Sequence, residues 1–254
     1  MTDTSTPVET GACHVYGIVR SGVAAPTDEA TVPDGIDVRV VSEGDIAAVV
    51  SMIDPSRPLG RKSDLVAHSA VLNALAAAGE AVLPVRFGSV LTTPESVADE
   101  LLRPNSERWV ELLDSFDGLT QFTLRGTYLQ DRLLAEIVAA RPDVAQLRRQ
   151  TVEADEQEGY ADRVRLGELV AHAVEEKRSV DTEQVREALE RHCAAIRVTP
   201  GTGIDGLVDV AALVPDDHRA AFEQSAEQLA ATLGERASFR LLGPLAPFDF
   251  VDEV

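Results

Sequence analysis

Aromatic side chains are scarce in this sequence: Phe, Tyr and Trp make up 4% of its 254 residues. The core must therefore be built mainly from Leu, Val, Ile and Ala. Cysteine is nearly absent. Cys13 and Cys193 lie far apart and form no CxxC unit, which argues against a disulfide framework or a zinc site. Both sit among apolar neighbours and read as small core fillers. Positive charge is in deficit too: 23 Lys and Arg stand against 43 Asp and Glu, a formal net charge of −20. Such a field repels phosphate, so neither nucleic acid nor an anionic membrane is expected as a partner. No apolar run approaches the ~18 residues that a membrane-spanning helix needs. The polar start, Met1 to Ala12, lacks the basic and apolar segments of a signal peptide. A cytoplasmic protein is the expectation.

What is present suits a globular chain. Apolar residues amount to 44% and charged residues to 26%, and the length fits one large or two small domains. Residues 1–12 read as a loose tail. Cys13 to Arg20 patterns as a strand, residues 21–35 as a loop, and Asp37–Val41 with Asp45–Ile53 as a hairpin turning at Ser42–Gly44. Ser63 is the predicted cap of a helix to about Ala78, with Leu65, His68, Leu72, Leu75 and Ala76 on its buried face. Val82 to Val90 reads as a short strand with Pro84 marking an edge. Thr93 caps a further helix with Pro94 at its first position, running to about Leu113 with an interruption near Pro104 and Asn105.

Asp114 to Gly118 is the expected domain boundary. Beyond it come a strand (Leu119–Thr127), helices over Leu129–Ala140, after Pro142 and over Gly159–Lys177, and a separate helix to His192 begun by Asp181 and Gln184 as a capping box. Strands at Cys193–Val198 and Leu207–Val214, a helix from Pro215 to Gly234 and a strand at Phe239–Leu242 follow. This is a split βαβ order with its first crossover enlarged by a helical insertion near residues 142–192. The predicted fold class is therefore α+β with two domains. An N-terminal α+β domain covers 13–116 and a ferredoxin-like (βαββαβ) domain covers 117–243. An extended C-terminal tail covers 244–254. In that tail Pro244 and Pro247 oppose regular structure, while Leu245, Phe248 and Phe250 are expected to pack back on the domains.

Motifs for chemistry are sparse. His68 and Arg86 are the first candidates, as an anion site or an acid–base pair; the plainer reading is a partly buried His bonded to backbone beside a surface Arg. His14, His172, His192 and His218 are scattered without HxH or HExxH spacing, so no metal is expected. His192 and Cys193 are adjacent, which does not make a nucleophile pair. Gly201 and Gly203 lack a phosphate-loop frame and read as a turn. Glu153, Asp155, Glu156 and Glu158 read as a solvated helix start with no Ca²⁺ loop pattern. No cofactor and no enzymatic activity are expected.

Four segments together resemble the gas vesicle protein F/L family. They are Val15-Tyr16-Gly17-Ile18-Val19, the helix with His68, Val71 and Leu72, Leu83-Pro84-Val85-Arg86-Phe87-Gly88, and the ending Gly243-Pro244-Leu245-Ala246-Pro247-Phe248-Asp249-Phe250-Val251. In that ending Leu245, Ala246 and Phe248 replace the family's Trp, Pro and Tyr. The resemblance implies a cytoplasmic accessory or minor component of gas vesicles, which binds the small apolar main shell protein during nucleation and limits its aggregation. Other gas vesicle accessory proteins are further implied partners. The matching residues Tyr16, Gly17, His68, Pro84, Arg86, Phe87, Gly88, Gly243, Pro244, Pro247, Phe248 and Phe250 are candidates for protein interaction, and the N-terminal domain, including the Pro84–Gly88 edge strand, is expected to supply the binding surface, because strand edges and apolar patches can cover an apolar partner. The competing reading is a small-ligand regulatory protein built on the ferredoxin-like domain.

Overall fold

The computed structural model describes residues 11–26, 37–56, 59–153 and 159–251. The expected tail up to residue 10, most of the 21–35 loop, Pro58 and the acidic stretch 155–158 lie outside the described residues. The chain forms two compact units, Met1–Gln121 together with Gly243–Val254, and Phe122–Leu242.

The first unit holds β1 (Ala12–Arg20), β2 (Val38–Glu43), β3 (Ile46–Ile53), α1 (Lys62–Ala77), β4 (Val82–Pro84), β5 (Val90–Leu91), α2 (Pro94–Ser96) and α3 (Arg103–Phe116). Its antiparallel sheet runs β2-β3-β1-β4, and β5 pairs with β1 on the same side as β4. Residues Cys13 to Val19 of β1 are all buried, because α1 and α3 both pack on this sheet. That is why the strand shows no alternation of apolar and polar residues.

Several local expectations are corrected here. Arg61, not Ser63, precedes α1, and the Asp64 carboxylate accepts the Gly60 and Arg61 N–H groups. An acid in the first turn meets both the unpaired donors and the helix dipole. Leu65 is 49% exposed; the buried face is Ala67, His68, Val71, Leu72, Leu75 and Ala76. The strand expected over Val82–Val90 is two short pieces, since Gly88 takes φ +91° between them. Thr93 does cap its helix, accepting the Ser96 N–H at 3.1 Å. No break occurs at Pro104. A π-helical segment, Val97–Leu102, leads straight into α3, a wider turn before a residue that has no N–H to give.

The second unit holds β6 (Leu119–Tyr128, from Phe122 onward), α4 (Gln130–Ala140), α5 (Pro142–Glu153), α6 (Tyr160–Glu190), β7 (Ala195–Pro200), β8 (Gly206–Pro215), α7 (Arg219–Leu233) and β9 (Ala237–Leu245, as far as Leu242). Its sheet runs β7-β8-β6-β9, the strand order of a ferredoxin-like βαββαβ fold. Phe122 and Phe222 meet at 5.4 Å in a core otherwise dominated by Leu, Val and Ala. Two expectations fail. The helices read as 159–177 and 181–192 are one 31-residue helix, α6, because Asp181 is buried and bonded to other elements instead of capping. And β9 continues through Pro244 to Leu245, which an edge strand tolerates.

Candidate interaction site

The residues singled out by sequence converge around β1 in the first unit. Gly17 stands opposite Pro84 across the β1–β4 ladder. A Cβ at Gly17 would lie 2.6 Å from Leu72 Cδ2 and 2.8 Å from the Leu83 carbonyl oxygen, so only glycine lets α1 and β4 approach this closely. Gly17→Ala is expected to cost about 1–3 kcal/mol by overpacking, read as a lower urea midpoint with an unchanged slope. Equal midpoints would show that α1 can shift freely.

Next to that contact lies a buried polar chain. His68 Nε2 is 3.1 Å from the Val85 carbonyl, and His68 Nδ1 is 3.1 Å from His14 Nε2. A carbonyl can only accept, so His68 carries its proton on Nε2 and its Nδ1 lone pair accepts from His14 Nε2–H. His14 Nδ1 is left buried without a partner. Tyr16 stacks on His68 at 5.4 Å, and its hydroxyl lies 2.9 Å from Ser51 Oγ. The Phe87 ring stands edge-on to both imidazoles. Val85 N–H bonds to the Tyr16 carbonyl and Val15 N–H to the Ser89 carbonyl. The cluster thus fastens the segment between β4 and β5 to α1 and β1.

Burial, reinforced by His68, pushes the His14 imidazole down to about 4, against the pull of the Ser89 carbonyl and the Asp64 carboxylate. Burial lowers His68 as well, opposed by its bond to Val85. Burial raises the Tyr16 hydroxyl. These groups are therefore neutral near pH 7. His68 uses both ring nitrogens on His14 and Val85, and Arg86 is exposed, which matches the plainer reading of a buried His bonded to backbone beside a surface Arg.

The C-terminal residues also belong to the first unit. Ala246 is fully buried among Tyr16, Leu72 and Leu75, and its N–H bonds to Asn73 Oδ1 of α1. Asp249 N–H bonds to Gln121 Oε1. Pro247 is buried and Phe250 half-buried, but Phe248 is 38% exposed. The small Ala246 and Pro247, not the Phe248 ring, fill the core here.

The sequence offers His14 only as one of several scattered histidines and gives no sign of Ser51. His14 and Tyr16 are two apart on one strand and so share a face, a signal that was available. Ser51 had none, since its place opposite His14 depends on register. Elsewhere, burial pushes the Cys193 thiol up to about 12, and it donates to the Leu189 carbonyl instead of forming a thiolate. Among the described residues, no group of three His, Cys, Asp or Glu could hold a metal.

The family model for "Gas vesicle synthesis protein GvpL/GvpF" matches residues 12–252. The chain belongs to the GvpL/GvpF family. Gas vesicle protein F of Streptomyces sp. (strain CB03234) is 30% identical over 249 residues, covering 94% of this chain and 99% of that one. Gas vesicle protein F of Microcystis aeruginosa (strain PCC 7806) is 23% identical over 93% of this chain and 96% of its own length. Among solved structures, GvpF from Anabaena sp. PCC7120 superposes with a TM-score of 0.78 at 20% identity, covering 96% of this chain and 99% of that one. GvpF from Microcystis aeruginosa gives 0.72 at 22% identity, with the same coverage. The α+β fold is thus the fold of this GvpL/GvpF family. No described helix is long and apolar enough to cross a membrane.

Proposed function

We propose that this GvpL/GvpF family member is an accessory or minor structural protein of gas vesicle assembly, which binds the main apolar shell protein during nucleation and limits its aggregation. It acts in the cytoplasm, at the growing vesicle, alongside other gas vesicle accessory proteins. The observation that carries this reading is the β4–β5 edge of the first unit, where the motif residues Pro84, Arg86, Phe87 and Gly88 border an open sheet side next to the exposed Val90. An edge strand offers backbone groups to an extended segment, and apolar side chains beside it cover an apolar partner. The His14–His68 chain holds that edge in place. The net charge of −20 keeps a complex with an apolar subunit soluble.

Light scattering of the purified shell protein after dilution from denaturant tests the claim. Added in equimolar amount, this chain should delay or suppress the rise in scattering. Scattering that rises as fast as with an unrelated protein of similar charge would overturn it.

A further inference from the structure

The second unit carries a groove of about 550 Å³ between α4, α6 and the turn joining β7 to β8. Leu133, Val170, Val174 and Ile204 make it apolar, and Glu175 and Asp205 lie at its edges. Along α6 the lining runs from Gly167 to Arg178, which is about 16 Å or three helical turns.

One stripe of α6 repeats with the spacing of a helix–helix seam, exposed toward the start of the helix and partly packed on the unit's own core at Val174. Tyr160, Val164, Gly167, Ala171, Val174 and Arg178 follow at steps of four and three. Tyr160 is 70% exposed and Val164 46%, and Ile204 across the groove is 90% exposed. A Cβ on Gly167 would meet nothing within 4 Å. Glycine inside a helix is destabilising, so packing within the unit does not account for it. It leaves room for something from outside to come close. Arg178, at the far end, has a buried Nε–H with no acceptor, although its terminal nitrogens reach Glu175 and the Ile204 carbonyl.

We infer that this groove receives an amphipathic helix of a partner protein, with an apolar seam flanked by Lys or Arg. Charge selects the occupant. Glu168 and Glu175 flank the seam on one side, Glu175 being bonded to Arg178, and Asp205 lines the groove; on the other side stand Arg163 and Lys177, the latter tied to Glu136. A second copy laid antiparallel along α6 would set Glu168 and Glu175 against themselves, on a chain of charge −20. The inference concerns the second unit and stands apart from shell-protein binding at the β4–β5 edge.

The test uses the full chain and fluorescence anisotropy with three labelled synthetic peptides of about 18 residues, long enough to span the groove. One has a Leu seam with Lys flanks, one the same composition scrambled, and one Glu in place of Lys. The first is expected to bind saturably, at least about tenfold more tightly than either other, a gap of about 1.4 kcal/mol. Gly167→Leu is expected to abolish that preference while raising Tm by about 2–4 °C, since Leu is the better helix former. Equal binding of the seam and scrambled peptides would overturn the inference, because it would show only attraction to an acidic surface. So would unchanged peptide binding by Gly167→Leu. Sedimentation is expected to show a monomer; a dimer that Gly167→Leu dissociates would assign the groove to a second copy instead.

Discussion

Replacing Asp181 by Ala should cost about 3 kcal/mol of unfolding free energy, more than any other single change considered for this chain. Asp181 lies in the middle of α6 and is only 1% exposed. One carboxylate oxygen accepts from the Tyr128 hydroxyl at 2.9 Å and from Arg236 Nε at 3.1 Å, and the other accepts from an Arg236 terminal nitrogen at 2.7 Å. The acid thus ties β6 and the segment after α7 to the long helix. Burial, with the Asp181 charge next, holds the Tyr128 hydroxyl far above its ordinary range, so it stays a donor. Removing the carboxylate leaves a guanidinium and a hydroxyl without their acceptor. Breaking a fully buried pair costs about 3–5 kcal/mol. The Arg236 side chain keeps 19% exposure, which places this one at the lower end. Asp181→Asn keeps an acceptor for Tyr128 but loses the charge pair, and should fall between wild type and Asp181→Ala. Urea unfolding of the three proteins at pH 7 measures the order. An Asp181→Ala midpoint equal to wild type would remove this contact from the account.

Acid should destabilise the first unit before its carboxylates titrate. His14 is neutral in the fold down to about pH 4, whereas an unfolded histidine protonates near 6.5. A depressed folded value means stability is fully present above pH 6.5 and is lost as pH falls toward 4, where the slope ends. Between pH 6.5 and 5 the ceiling for one such group is about 2 kcal/mol, and His68, lowered in the same direction, adds to it. His14→Gln keeps an N–H for His68 Nδ1 but does not titrate. Unfolding free energies at pH 7 and pH 5 should therefore differ less in His14→Gln than in wild type. Identical differences would mean that the imidazole chain is not what acid attacks.

The fold was legible where local pattern and tertiary role agree. The β6-to-β9 order follows from turn residues and apolar periods, because each element of that unit turns an apolar face to a common core. The failures have one physical cause. Asp181 looked like a helix cap because a capping acid and a buried, salt-bridged acid have the same local sequence; its partners Tyr128 and Arg236 lie 53 and 55 residues away. Leu65 fitted the helical period of α1 but is 49% exposed. Phe248 was expected to anchor the C-terminus by its size, yet the space beside α1 admits Ala246. Of the candidate site, Tyr16, Gly17, His68, Pro84 and Phe87 could be named in advance. Their partner His14 could not be placed, because which residue faces His68 depends on packing between β1 and α1.

Binding of the shell protein at the β4–β5 edge, as proposed, is tested by co-purification of the shell protein with the tagged full-length chain, comparing wild type with Val90→Lys, Val90→Thr and Ile204→Asp. Val90 is 44% exposed on β5, so Lys there places a charge on the proposed contact without entering the core. Val90→Lys is expected to lose most of the bound shell protein at unchanged Tm, and Val90→Thr and Ile204→Asp are expected to retain it. Retention by Val90→Lys together with loss by Ile204→Asp would contradict the proposal and move shell-protein binding to the second unit.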